Sequence, residues 1–166
     1  MLKKELVSND VYLELQPLVK TLGLDIVSVS RHIQHGSSSV FLVIKAQDRP
    51  TTVDDCARVH RLVEARLELL WNDRDLTLEV STPGVQRNFA DMHEFSLFIG
   101  NRVRIYDTAV ADWISGIIDS VETDAIALSH IVADGAQEIP DQQLIPFERI
   151  HKAKLDYIWE EGPHGQ

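Results

Sequence analysis

The sequence predicts an α+β protein in which a segment of helices and strands is followed by a segment of short strands. In the first 90 residues, apolar residues recur at helical spacing in some stretches and alternate with polar residues in others. From Arg102 onward, short β-rich runs recur about every ten to twelve residues, with Asp, Gly and Thr turns between them. The 166 residues are 44% apolar and 25% charged, which is typical of one medium domain or two small globular domains.

The first segment begins with a predicted helix. Ser8 or Asn9 can cap its start, and Gly23 follows its expected end at about Leu22. Pro17 lies inside this span, and proline removes a helical hydrogen bond, so we expect a kink or a later start.

A hairpin and a second helix follow. Strands are predicted over 24–32 and 39–46, joined by the turn HGSSS. Thr52 with Asp55 resembles a capping box, with Asp in place of Glu or Gln. We therefore expect the second helix to start there and to run to about Leu70.

The stretch LTLEVSTPGVQR, residues 76–87, predicts a third strand that ends in a rigid turn. Its first apolar side chains alternate with polar ones and should face the core. Pro83 fixes φ, and Gly84 supplies the positive φ of a type II turn. The order helix, strand, strand, helix, strand predicts two helices on one face of a small sheet, followed by a stiff connector that carries Arg87.

The second segment predicts a short helical turn within 91–100 and then a closed or half-closed β-barrel. Gly116 would permit a sharp bend at a barrel corner, and Trp113 is expected in the core or at the rim. Residues 160–166 resemble a disordered tail. The predicted strands lie within 102–110, 111–121, 124–132 and 148–155.

Charge is distributed unevenly along the chain. The net charge is −10, with 11 basic and 12 acidic residues in 1–90 against 5 and 14 in 91–166. This surplus of acid argues against a simple nucleic-acid-binding domain, which is usually basic. The second half should attract a basic partner, whereas the first half could approach RNA if its arginines cluster.

Several classes of protein are disfavoured by the sequence. Cys56 is the single cysteine, so we expect neither an internal disulfide nor a cysteine-pair zinc site. The N-terminal MLKKELVSND has no apolar run of the signal-peptide kind, and no stretch approaches the roughly 18 apolar residues of a membrane span. We therefore expect a cytoplasmic protein.

A family resemblance covers roughly residues 10–156 in continuous order. LEVSTPGVQR resembles the LEVSSPGxxRP signature of the bacterial ribosome maturation factor RimP family. PLVKTLGLDIVSV is similar to the first helix and strand of that family, and TTVDDCARVHRLVEARL to its second helix. FSLFIGNRVRI and IPFERIHKAKL resemble the start and the final strand of its second domain.

The resemblance implies a two-domain assembly factor without catalytic activity or a cofactor. Residues 1–90 would form an α/β domain, and residues 91–159 an SH3-like (Sm-like) small β-barrel. The family assists maturation of the small (30S) ribosomal subunit and of 16S rRNA, binding immature particles through rRNA and a basic ribosomal protein. We expect a monomer. The alternative is an Sm-like oligomeric RNA-binding regulator, although a ring of such acidic barrels would repel RNA.

Two groups of residues are candidates for partner binding. Ser81, Thr82, Pro83, Gly84 and Arg87 would form one loop, in which a stiff turn presents a guanidinium to phosphate or carboxylate. The alternative is a structural hinge in which Arg87 pairs with a nearby acid.

The second helix supplies the other candidates. Arg58 and Arg61 are three residues apart and share a face, either as rRNA contacts or as an ordinary solvated surface. Cys56 and His60 have a spacing that can chelate zinc, but Cys56 belongs to the apolar stripe, so we expect a buried thiol. We expect no catalytic, cofactor-binding or metal-binding residue, because the sequence contains no nucleophile elbow, phosphate loop or HExxH motif.

Overall fold

A computed structural model describes residues 2–72, 75–133 and 136–157. The chain divides into two compact units. The N-terminal unit comprises Lys3–Gly84 and Ala90–Leu97, and the C-terminal unit comprises the remaining described residues, including Val85–Phe89. The tail expected over 160–166 lies outside the described residues.

The N-terminal unit has three helices, a 3-10 turn and a three-stranded sheet. The strand order is β1-β2-β3, with β2 antiparallel to β1 and parallel to β3. Helix α2 makes the crossover that a parallel pair requires. The elements are the 3-10 turn Leu6–Ser8, α1 Asp10–Lys20, β1 Leu24–Gln34, β2 Ser37–Ala46, α2 Val53–Trp71, β3 Thr77–Ser81 and α3 Glu94–Leu97.

Helix α1 is bounded by the capping signals in the sequence. The Asn9 side chain accepts hydrogen bonds from the backbone N–H groups of Val11 and Tyr12, at 2.9 and 3.1 Å. The helix ends at Lys20, two residues before the predicted end, and Gly23 takes a φ of +75° in the turn that follows. The predicted later start is wrong, because the helix begins at the Asn9 cap and runs through Pro17.

The hairpin is tighter than the sequence predicts. His35 and Gly36 alone form the turn, with φ values of 52° and 81°. Two successive residues with positive φ are typical of a type I′ turn, whose twist matches that of the flanking strands. Ser37 and Ser38 were predicted as turn but belong to β2, where Ser37 pairs with Gln34 and Ser38 with Ile33.

The capping box predicted for α2 is confirmed. The Thr52 hydroxyl accepts from the backbone N–H of Asp55 at 3.2 Å, and the Asp55 carboxylate accepts from the N–H of Thr52 at 2.8 Å. The apolar faces of α1 and α2 pack with the sheet into one core that includes Leu15, Val19, Leu42, Ile44, Val59, Val63 and Leu67. Leu76, Leu78 and Val80 are half-buried against this core, as the alternation predicts.

The C-terminal unit is a five-stranded antiparallel sheet in the order β7-β6-β5-β4-β8. Four of these strands were predicted, and β7 was not. The fold class is α+β as predicted, but the five described strands form no closed barrel, since the sheet order has β7 and β8 at opposite ends. The strands are β4 Arg102–Asp107, β5 Asp112–Val121, β6 Ala125–Ala133, β7 Gln143–Pro146 and β8 Ile150–Leu155, with a 3-10 turn at Phe147–Arg149.

Gly116 lies at an irregularity of the sheet. The register between β5 and β6 shifts between Ser115 and Ile117, and again two residues later. A Cβ atom on Gly116 would stand 3.1 Å from the carbonyl oxygen of Ser129. Because such bulges bend a strand and glycine permits a close backbone approach, the bend predicted at Gly116 has a physical basis here.

Candidate functional site

The turn after β3 has the backbone geometry that Pro83 and Gly84 predict. Ser81 ends the strand and Thr82 follows it, and both are exposed. Gly84 has a φ of +73°, a conformation that other residues adopt at an energetic cost. The turn therefore has a fixed path and exposes two hydroxyl side chains within the N-terminal unit.

Arg87 belongs to the other unit. Its carbonyl oxygen accepts a hydrogen bond from the N–H of Leu155 at 2.9 Å, and the N–H of Phe89 donates to the carbonyl of Ala153 at 2.8 Å. Residues 87–89 therefore extend the C-terminal sheet alongside β8. The predicted loop is divided between the two units, with Ser81, Thr82, Pro83 and Gly84 in one and Arg87 in the other.

The arginines at the start of α2 lie beside a buried carboxylate. Asp55 is 2% exposed and accepts two hydrogen bonds from the Arg49 guanidinium, at 2.6 and 2.7 Å. Arg58 stands 3.8 Å from the same carboxylate, and Arg61 is exposed one turn further along. The Arg49 hydrogen bonds hold the pKa of Asp55 well below its usual range. Arg66 forms an ion pair with Glu14 of α1.

The contacts of Cys56 and His60 are with neighbouring groups of the fold and do not form a metal site. His60 Nε2 lies 3.1 Å from the carbonyl oxygen of Leu78, and its Nδ1 lies 3.6 Å from the Glu64 carboxylate. Cys56 is half-buried against the core and not fully buried as predicted, and this partial burial together with the neighbouring Asp55 raises the pKa of its thiol. Within the described parts of the chain, no group of three or more His, Cys, Asp or Glu residues is placed to hold a metal ion.

Exposed carboxylates surround β5, β6 and β7 in the C-terminal unit. Asp119 accepts hydrogen bonds from Ser129 and Gln142, and Glu138 lies 2.7 Å from His130. The exposed members of this carboxylate-rich part are Asp119, Glu122, Asp124, Glu138 and Asp141. These five carboxylates lie on β5 or in the connections around β6 and β7, whereas Asp112, which pairs with Asp107 of β4, and Glu148, just before β8, are further exposed carboxylates of the unit.

The cations of the same unit gather on β4 and β8, which sequence reasoning missed. Arg102, Arg104, Lys152 and Lys154 lie on these two neighbouring strands, and their side chains are exposed or half-buried. Of the other two cations in the described part of the unit, Arg149 is hydrogen-bonded to the buried Asp107, and Arg87 lies alongside β8. In RVRIY, cationic and aromatic residues alternate with apolar ones, which indicates that the cations share one face of a strand. The negative total charge drew attention away from this pattern, and the pairing of β4 with β8 is not evident from local sequence.

A comparison with known families gives one match. Residues 14–86 match the family model of the RimP N-terminal domain. The matched range runs from within α1 to just past Gly84, so it contains most of the LEVSTPGVQR stretch. Among the described residues, no helix is both long and apolar enough to cross a membrane.

Proposed function

We propose, from the premise that this chain belongs to the RimP family of ribosome maturation factors, that the protein binds immature small ribosomal subunits and assists maturation of 16S rRNA. The observation that carries this proposal is the match over residues 14–86, together with a fold of α1, β1, β2, α2 and β3 across that range. The protein would act in the cytoplasm, by binding and without covalent chemistry.

Its mode of action would be a population shift. A factor that binds an immature conformation of rRNA more tightly than the mature one increases the population of the productive intermediate. It dissociates when the mature conformation removes the preferred contacts. The two hydroxyl side chains at the turn after β3, with Gly84 fixing the path, offer such a shape-dependent contact.

The carboxylate-rich part of the C-terminal unit fits a basic ribosomal protein. Exposed carboxylates on and between β5, β6 and β7 would face lysine and arginine side chains, and complementary charge accelerates association. We place the protein partner at this part of the unit for that reason. The turn residues Ser81, Thr82, Pro83 and Gly84, together with Arg87, Arg58 and Arg61, remain proposed contacts to the particle.

We also propose that the C-terminal unit is a variant of the SH3-like (Sm-like) small barrel. The two register shifts in β5 and the 3-10 turn before β8 support strong curvature of the five strands. The proposed protein is a monomer. A stable hexamer or heptamer in size-exclusion chromatography would instead favour an RNA-binding ring.

Deletion of the gene tests the function. We expect precursor 16S rRNA to accumulate and the ratio of free subunits to 70S ribosomes to rise, and the wild-type protein should reverse both effects. Glu122→Lys/Asp124→Lys should restore maturation only partly, because it reverses charge in the carboxylate-rich part.

A matched control reverses the same number of charges elsewhere. Asp48 and Glu68 are exposed residues of the N-terminal unit, so Asp48→Lys/Glu68→Lys should restore maturation fully. Normal precursor levels and subunit ratios in the deletion strain would refute the proposed function. Equal rescue by both double variants would refute only the placement of the protein partner.

A further inference from the structure

The outward face of β8, β4 and β5 is a regular array of cations and aromatic rings. Residues directly opposite each other on neighbouring antiparallel strands point to the same face of a sheet. The register therefore aligns two rows across the three strands: Lys152, Tyr106 and Trp113 in one, and Lys154, Arg104 and Ser115 in the other. We call these six residues the basic-aromatic face.

Strand alternation fixes which way this face points. Val103 and Ile105 alternate with its members on β4, and both are fully buried. Ala153 does the same on β8 and is 3% exposed. Because these side chains occupy the core, the residues between them are directed toward solvent, where Lys152 is exposed and the other five are half-buried.

Trp113 is the centre of the array. The Arg104 guanidinium carbon lies 5.6 Å from its ring centroid, and Lys154 Nζ lies 5.5 Å from it. Tyr106 packs edge-on against Trp113, with centroids 5.7 Å apart and planes at 78°. His151 packs against the other side of Tyr106 in a similar edge-on arrangement, at 6.2 Å. The rings are thus held in place by neighbours and remain partly accessible.

A polar groove continues from this face. It has a volume of about 200 Å³ and shares Arg104 and Lys154 with the basic-aromatic face. Gln86 and Asn88 contribute amide groups, and the remaining lining residues are Leu155, Asp156 and Tyr157. Asp156 is partly neutralised by Arg102, whose Nε lies 3.3 Å from its carboxylate. The groove therefore offers hydrogen-bond donors and acceptors beside two cations.

The acidic total charge of this half does not prevent an anion from binding there. At physiological ionic strength, charges are screened beyond about 8 Å. An anion on β4 and β8 therefore interacts mainly with the cations of these strands. Two exposed carboxylates lie nearer to the face, Asp112 beside Trp113 and Glu148 just before β8, and the others are Asp119 of β5 and residues in the connections around β6 and β7.

We propose that the basic-aromatic face binds single-stranded RNA, with an unpaired base stacked on Trp113 and backbone phosphates held by Arg104, Lys152 and Lys154. This inference rests on the proposed function and deepens it, because it assigns an RNA contact to the C-terminal unit. Cationic strands interleaved with aromatic side chains are the usual arrangement of surfaces that bind single-stranded nucleic acid.

The chemistry of the face favours unpaired RNA over two other anions. Duplex RNA keeps its bases stacked on one another, so it cannot place one on an indole ring. An acidic peptide would use the cations but would gain nothing from the ring face, which carries negative electrostatic potential. A base with an adjoining phosphate uses both kinds of group.

The test is a binding assay with the full chain and a labelled oligouridylate of about 12 nucleotides, within the range of sites for single strands. Fluorescence anisotropy near physiological salt should show binding that Lys152→Glu/Lys154→Glu weakens at least about tenfold. The same variant should lower the slope of log affinity against log salt by about 1.4, or about 0.7 for each of two phosphates. Lys3→Glu/Lys4→Glu reverses the same number of charges on exposed residues that do not belong to the basic-aromatic face and should change affinity less than about twofold.

Trp113 variants separate stacking from charge. Trp113→Leu should weaken binding at least about fivefold, whereas Trp113→Phe, which keeps a ring, should retain more of the affinity. Circular dichroism confirms that each variant is folded. If Trp113→Leu is unfolded, the comparison of Trp113→Phe with wild type carries the test, and a weakening of at least about twofold is expected.

Several results would overturn the proposal. It fails if wild type does not bind the oligouridylate, if folded Lys152→Glu/Lys154→Glu and Trp113 variants bind as wild type does, or if duplex RNA or a polyglutamate peptide binds equally well. If the RNA-binding assay fails but the protein still associates with immature subunits, the proposed function stands and only this inference is refuted. If wild-type protein does not associate with immature subunits, the proposed function itself is refuted.

Discussion

Arg149→Ala is expected to lower the free energy of unfolding of the C-terminal unit by about 2–3 kcal/mol at pH 7. The substitution removes both hydrogen bonds from the guanidinium to Asp107, a carboxylate that is 1% exposed. An unpaired buried carboxylate is strongly destabilising. We expect a smaller loss of unfolding free energy than for a fully buried ion pair, because the Arg149 side chain is 34% exposed. Hydrogen exchange of peptides that cover β4 and β8, measured across a urea titration, reports the change in this unit.

The effect of Arg149→Ala should depend on pH in a defined direction. Burial alone would raise the pKa of Asp107, but hydrogen bonds from Arg149 and the N–H of Ala109 hold it below the ordinary value. A depressed pKa stabilises the folded state above the unfolded pKa of about 4 and ceases to do so as pH falls. Without Arg149, its pKa-lowering hydrogen bonds are lost and the pKa of Asp107 rises. The difference between wild type and variant should therefore shrink as pH falls toward 4.

Arg102→Ala is the matched control for this experiment. Its ion pair with Asp156 is more exposed, so its removal should cost less than about 1 kcal/mol. Two results would contradict a stabilising role of the pair of Arg149 with Asp107: equal losses of unfolding free energy in the two variants, or a loss in Arg149→Ala that grows as the pH falls.

Asp55→Ala should lower the free energy of unfolding of the N-terminal unit by about 2 kcal/mol at pH 7. The substitution removes half of the capping box of α2 and the acceptor for the Arg49 guanidinium. Urea titration, followed by hydrogen exchange of peptides that cover α2, measures this change. Because the pKa of Asp55 lies well below its usual range, its contribution should be complete above about pH 4 and should decline progressively as pH falls further.

Asp54→Ala provides the comparison for Asp55. Asp54 also lies in the first turn of α2 but is exposed, so the expected loss is below about 1 kcal/mol. A loss as large as that of Asp55→Ala would show that general helix-dipole electrostatics, and not the specific hydrogen bonds, stabilise this end of the helix.

The parts of the fold that could be predicted are those specified by residues close together in the sequence. The Asn9 cap, the box of Thr52 with Asp55 and the positive φ of Gly84 each depend on residues a few positions apart, and all are found. Strand β7 was missed because it has four residues, QLIP, and no alternating pattern. The parallel pairing of β3 with β2 was also not predicted, because it joins strands that α2 separates in sequence.

The functional surfaces were less predictable for related reasons. Arg87 was identified, but its place alongside β8 depends on backbone hydrogen bonds, which leave no side-chain pattern in the sequence. The net charge of the second half was counted correctly, but a net charge does not show which strands or which face of the sheet carry the charged side chains. Only the pairing of β4 with β8, about 50 residues apart, brings Arg104 beside Lys154.

The separation of charge within the C-terminal unit changes which partners we expect this unit to bind. The sequence suggested an acidic half for a basic protein and a near-neutral half for RNA. In the structure, one unit presents carboxylates on β5 and in the connections around β6 and β7, and cations on β4 and β8. Under the proposed function, such a unit would contact rRNA through its cations and a basic ribosomal protein through its carboxylates.

Sedimentation of cell lysate on a sucrose gradient tests the proposed function most directly. The protein, detected by antibody across the fractions, should travel with free small subunits and be absent from 70S ribosomes and polysomes. The expected signal should increase when late assembly of the small subunit is slowed, because immature particles then accumulate. Recovery of the protein only at the top of the gradient, or in equal amounts on free small subunits and 70S ribosomes, would contradict a role in maturation.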